Sequence, residues 1–257
     1  LGIDLDGQGL VVPALAYRDT GGQTDVRFDL AELSGETDYP YRRHVPQLQV
    51  CRLLLAALAD SARCRIRFGT RADYAATRDY PWVIAADGSE SALRQAVSIP
   101  FDGQAYSGSV TRLICDPGPY EDWEAVTYVF AEDTSVSVLR MADHVRVIVR
   151  ADDPGSAVAV ATRVTGVRPP VRSWLQYRSQ RRVVAANLAG NLIFAGDAAH
   201  VTTTRGGMNM NAGIHDAAVL AGALARDPGD LPAVAAERLT VARDLLLPRT
   251  HETLGEP

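Results

Sequence analysis

The stretch that most constrains this chain runs from Asn191 to Ala225. Leu192 to Ala195 is a short, wholly apolar run, the pattern of a strand buried in a parallel sheet. Gly196-Asp197 ends it and sets a carboxylate just past the strand's carboxyl end, where open α/β sheets bind ligands. Gly206-Gly207 lets the backbone approach a ligand closely, and Met210-Asn211 then opens a helix. That helix carries an apolar face at Ile214, Ala217, Ala218, Ala221, Leu224 and Ala225. Its first-turn N–H groups lack helical partners and suit an anion or carbonyl oxygens.

A chain of 257 residues, 47% hydrophobic, can bury roughly 70–75% of its unfolded surface in one or two domains. Net charge is −5, so neither nucleic acid nor an anionic membrane is a favoured partner. All 26 basic residues are Arg, which removes Schiff-base and P-loop lysine chemistry. Cys51, Cys64 and Cys115 show no CxxC spacing, and with no signal peptide expected they read as reduced cytoplasmic thiols used for packing. The apolar runs are too short to span a membrane. The histidines His44, His144, His200, His215 and His251 show no metal-binding spacing, and no GxSxG elbow occurs.

Along the chain, Ala14 to Arg18 and Val26 to Leu30 pair as strands across a Gly21-Gly22 turn. Gln47 to Ala59 has the apolar spacing of a helix, with Pro46 at its start, and Arg65 to Phe68 follows as a strand. Trp82 to Ala85 is a further apolar strand. Asp87 ends it, Gly88 permits a sharp turn, and Ser91 caps a helix that carries Arg94. Alternation at Val126, Tyr128 and Phe130, at Val136 and Val138, and at Val145, Val147 and Val149 predicts an antiparallel sheet over 109–150. Ser156 to Val164 is a short helix and Val171 to Arg178 a returning strand. Asp227 to Asp230 breaks the long helix; a second runs from Leu231 to Leu247 and stops at Pro248.

Two of these segments resemble the class A flavoprotein monooxygenases, the para-hydroxybenzoate hydroxylase-like family. Gly196, Asp197, Ala198, Ala199, His200, Gly206, Gly207, Asn211, Gly213, Asp216 and Ala217 match its second flavin motif in register. Ala86, Asp87, Gly88, Ser91 and Arg94 match its first internal motif, about a hundred residues earlier. Thr204 stands where Pro is usual, Asn209 where Gly is usual, and Ala85 where Gly is usual. The resemblance covers about Tyr17 to Arg243.

The resemblance implies an α/β fold, a Rossmann-like FAD-binding domain interleaved with an antiparallel-sheet substrate domain. Residues 1–100 and 178–225 would form an incomplete flavin-binding part, 101–177 the substrate-binding sheet, and 226–257 a C-terminal helical segment. It implies an FAD-dependent monooxygenase that uses NADPH or NADH and O2, through a flavin hydroperoxide, on an aromatic or polyketide-like small molecule. Cofactor contacts would fall on Gln47, Asp87, Gly88, Arg94, Asp197, Thr204, Gly206, Gly207, Met208, Asn209, Met210 and Asn211. No catalytic acid or base and no metal ligand is assigned, and a homodimer is the candidate oligomer. Tyr106, Tyr128 and His144 are substrate-contact candidates; His200 and His215 read as structural.

The family opens with a βαβ unit bearing G-x-G-x-x-G, and no segment here matches it, so the sequence is expected to be incomplete at its start. The competing reading is a non-catalytic relative that binds an aromatic ligand or a partner without flavin. A halogenase reading fails on the missing Lys.

Overall fold

Alternating branched residues build the larger of two compact units in the computed structural model, which describes residues 5–20, 24–59, 61–204 and 207–252. That unit comprises Gly2–Arg65 and Ser107–Arg178; the other comprises Ile66–Tyr106 and Ser179–Pro257. Each is assembled from separate stretches of chain. Residues 2–65, grouped with the flavin-binding part in the sequence reading, cluster instead with the antiparallel sheet.

The larger unit holds a seven-stranded sheet in the order Val171–Tyr177, Val110–Cys115, Val145–Arg150, Ser135–Arg140, Val126–Phe130, Ala14–Arg18, Thr24–Asp29. Neighbours are antiparallel except Ala14–Arg18 beside Val126–Phe130, which is parallel. One face is buried. Leu113, Val136, Val138, Val147 and Val149 meet Ala157, Ala161 and Val164 of the helix Pro154–Thr165. Asp153 caps that helix by accepting from Ser156 N, and Gly166 ends it in the left-handed region. A two-stranded ribbon, Leu10–Val12 with Arg42–His44, packs Leu10 and Val12 over Val126, Leu15 and Leu139.

In the smaller unit Leu192–Phe194 runs parallel to Val83–Ala85, with Ile193 opposite Ile84. The strand is buried on both sides, as its unbroken apolar run predicts. Leu192 and Phe194 face Ala85, Leu93 and Val184; Ile193 and Ala195 face Leu220, Ala223, Leu231 and Ala235. A second sheet orders His200–Val201, Gln180–Val184 and Phe101–Ala105. No helix among the described residues is long and apolar enough to cross a membrane, and none of their His, Cys, Asp and Glu side chains group as a metal site.

Several expectations are corrected. The long helix starts at Met208, not at Met210-Asn211. It buries Asp216, Leu220 and Ala223, while Ile214 and Leu224 are exposed, so the apolar face read from the sequence is not the buried one. Arg65 to Phe68 forms no strand; the segment lies outside every ladder. Pro248 does not end the C-terminal helix. Leu231–Val241 passes through a π-helical segment, Ala242–Leu246, into Leu247–Glu252, where Pro248 sits in the first turn and needs no intrahelical N–H bond. Cys51 and Cys64 are exposed, and only Cys115 packs in a core. Tyr128 and Phe130 point away from the helix-covered core, which Val129 joins from that strand.

Candidate functional site

The strand Leu192–Phe194 delivers Asp197 into a single 3-10 turn, Gly196–Ala198, with its side chain exposed. The turn can lie against the long helix because both backbones are bare. A Cβ on Gly213 would stand 3.2 Å from Gly196 Cα. Asp216, 2% exposed, anchors the junction from below. Its Oδ2 accepts from Gly196 N at 3.2 Å and from His200 Nε2 at 2.8 Å; its Oδ1 accepts from Arg238 Nε at 2.8 Å. Burial would push the Asp216 carboxyl up, but the donors on His200 and Arg238 outweigh it and hold the group below the usual carboxylate range.

Asn209 carries this framework to the surface. Its Nδ2 donates to Asp197 Oδ1 at 2.7 Å, and its Oδ1 lies 3.4 Å from His200 Nδ1. Asp197 Oδ1 is therefore held, and Oδ2 has no partner among the described residues. Gly207 is the helix N-cap at φ +61°, and Asn211 Nδ2 donates back to its carbonyl at 3.2 Å. Thr204 O accepts from Gly207 N at 3.3 Å. Met208, Asn209 and Met210 form the first turn, whose N–H groups suit an anion or carbonyl oxygens. Gly206 lies outside the described residues.

The first internal motif folds as its residues dictate. Gly88 takes φ +86°, Ser91 Oγ accepts from Arg94 N at 3.0 Å, and Asp87 Oδ2 accepts from Leu93 N at 3.2 Å. Arg94 is buried, which pushes its guanidinium down from its ordinary value. It donates to Ser89 O at 2.6 Å and Ala198 O at 3.0 Å and lies over the Phe101 ring at 4.0 Å. It ties the Asp87 turn to the Asp197 turn through main-chain carbonyls. Gln47 opens the helix Gln47–Ala59 in the other unit, with its side chain exposed.

Sequence reasoning did not anticipate the buried Asp216–His200–Arg238 cluster. The available signal was a carboxylate four residues before Leu220 and seven before Ala223, on one helical stripe. Chemically, the junction offers one exposed, preoriented carboxylate oxygen beside a helix N-terminus. That suits a ligand with hydroxyl donors and carbonyl or anionic oxygens.

A family model described as "FAD binding domain" matches residues 10–228. The chain is 25% identical over 263 aligned residues to the para-nitrophenol 4-monooxygenase of Pseudomonas sp. (strain WBC-3), across 86% of this chain and 63% of that protein. It is 30% identical over 192 residues to the pentachlorophenol 4-monooxygenase of Sphingobium chlorophenolicum, across 64% of this chain and 35% of that protein. The crystal structure of the p-nitrophenol 4-monooxygenase from Pseudomonas putida DLL-E4 superposes with a TM-score of 0.83 at 23% identity, covering 98% of this chain and 73% of that one. The chain thus spans under two thirds of the length of these two curated relatives.

Proposed function

The chain belongs to the FAD-binding-domain family of para-hydroxybenzoate hydroxylase-like monooxygenases, and from that premise we propose that it is an FAD-dependent monooxygenase of a small aromatic or polyketide-like molecule. NADPH or NADH and dioxygen are the co-substrates in this reading. The observation that carries it is Asp197, exposed at the carboxyl end of its strand with one oxygen held by Asn209 and the other open. The relatives support it through their names, a nitrophenol and a chlorophenol monooxygenase. A cytoplasmic location belongs to the same reading and is supported by the exposed, unpaired Cys51 and Cys64.

The residues present fit the flavin. Asp197 Oδ2 would accept from a ribityl hydroxyl, and the N–H groups and positive dipole end of the helix that starts at Met208 would suit the ring oxygens. Arg94 and Asp216 hold the two turns in place from beneath. Bound FAD would supply the redox and oxygen chemistry, and the chain supplies position and a fixed field. Titration of the purified chain with FAD, read by flavin fluorescence, tests this. Saturable uptake is expected, weakened about tenfold or more in Asp197→Ala while the fold by circular dichroism is retained. Equal uptake by that variant would overturn the role of Asp197.

A further inference from the structure

The loop that follows His200–Val201 carries Thr202, Thr203 and Thr204 in a row, and none of the three fixes its own φ as a proline would. Thr202 and Thr203 are nevertheless buried. A buried loop must find partners for its polar groups. Thr202 Oγ1 donates to Thr203 O at 3.2 Å, and Thr203 Oγ1 donates to Thr250 O at 3.2 Å, 47 residues further along the chain. Thr250 is itself buried, and its hydroxyl donates back along the helix to Leu246 O at 3.0 Å, with Leu247 O at 3.1 Å. Its carbonyl belongs to the last turn of the helix Leu247–Glu252, and the final four C=O groups of a helix have no partner inside it. The Thr203 hydroxyl thus supplies a donor where the helix end needs one.

Two features bring that helix end to the loop. Arg243 Nη2 donates to Val184 O at 3.3 Å and Ala185 O at 3.4 Å, and Ala242 and Leu247 pack on Val183, which fixes the helix beside the strand Gln180–Val184. The π-helical segment Ala242–Leu246 adds about one residue to its turn, which rotates every later side chain by roughly 100° about the axis. Thr250 takes its place against Thr203 with that rotation included. On the far side of the loop, Thr204 O accepts from Gly207 N, and the first helical turn follows with Asn209 Nδ2 bonded to Asp197 Oδ1 at 2.7 Å. The Thr203 hydroxyl is therefore a point at which the C-terminal helix grips the segment that leads to the proposed flavin contacts. A loop released there is free to carry Asn209 away from Asp197.

We propose that Thr203 is a positioning residue that latches this loop to the C-terminal helix, so that FAD uptake and docking of the last turn, residues 247–252, are coupled. The proposal deepens the monooxygenase reading and rests on it for FAD as the ligand. Coupling is reciprocal: whatever factor the latch contributes to FAD affinity, FAD must return to the docking of that turn. Two measurements on the purified chain test it, FAD titration by flavin fluorescence and amide hydrogen exchange over 247–252 with and without FAD. The variants are Thr203→Val, which keeps the shape and removes the donor, and Thr203→Ser, which keeps the donor. Thr203→Val is expected to weaken FAD uptake about three- to tenfold, the range of one neutral hydrogen bond, and Thr203→Ser to stay within about twofold of the parent. Bound FAD is expected to slow exchange over 247–252 by a similar factor in the parent and in Thr203→Ser, and to leave it unchanged in Thr203→Val. A Thr203→Val chain that melts lower yet takes up FAD like the parent would overturn the proposal and leave the bond a purely structural role. Should that variant fail to fold, the parent decides alone: exchange over 247–252 that ignores FAD overturns the coupling, and slowed exchange upholds it. A parent that takes up no FAD would sink the monooxygenase reading and the coupling with it, whereas equal uptake by parent and Thr203→Val would sink the latch alone.

Discussion

Asp216 stays ionised in a core because His200, Arg238 and the Gly196 N–H satisfy it. Removing one partner of such a buried pair typically costs about 3–5 kcal/mol. Arg238→Leu should therefore lower stability in urea by that order at pH 7. The folded Asp216 carboxyl lies below its unfolded value, so its contribution is full above about pH 4 and is lost as pH falls below that. The gap between parent and variant should accordingly narrow in titrations taken at pH 3, and a gap independent of pH would remove Asp216 from the account. Asn209 acts at the surface, so its loss should barely move stability. Asn209→Ala should weaken FAD uptake a few-fold, by about 0.5–1.5 kcal/mol, and do nothing further in an Asp197→Ala background. Additive effects in that cycle would show that the 2.7 Å bond is not what Asn209 contributes. None of these bonds was legible in the sequence. The motif showed that Asp197, His200, Asn209 and Asp216 sit near one loop, but hydrogen bonding between them depends on how the loop and helix fold back.

The elements themselves were more readable than their faces. Helix Gln47–Ala59, the strands of the 109–150 sheet and the run at Leu192 follow from spacing and composition alone. The long helix shows where this stops. Its Ile214, Ala217, Ala218, Ala221, Leu224 stripe looks apolar, yet the buried stripe is Asp216, Leu220, Ala223, chosen by the Leu231–Val241 helix and the strand beneath. A paired carboxylate can be buried where pattern reading assigns it to water. The contact between the Gly196 turn and this helix also belongs to the element scale. Gly213→Ala gains up to about 1 kcal/mol in helix propensity and loses a similar amount to the 3.2 Å approach on Gly196, so thermal melts should show little change. Gly213→Val adds bulk at the same contact and should cost about 1–3 kcal/mol and weaken FAD uptake by displacing Asp197. A Val variant as stable as the parent would mean that the turn yields freely.

At the scale of the whole chain, each unit is stitched from segments far apart in sequence: 66–106 with 179–257, and 2–65 with 107–178. The three cysteines report on the fold as a whole. Cys51 and Cys64 are exposed, while burial pushes the Cys115 thiol up to about 11. Two thiols should react with Ellman's reagent in the native chain and the third only on unfolding, with a midpoint matching circular dichroism. Three fast thiols in the folded chain would contradict the packing of the larger core.

By itself the sequence determined the family motifs, the α/β pattern, the absence of lysine chemistry and the places of most helices and strands. These depend on residues near one another in the chain, where backbone preference and periodicity act. Only the tertiary structure decided which helix face is buried, how Asp216 is neutralised, and that Arg94 binds main-chain carbonyls. Burial and charge pairing are set by partners brought in from 20 to more than 100 residues away, as in Arg238 to Asp216 and Arg94 to Ala198. No local pattern encodes those distances.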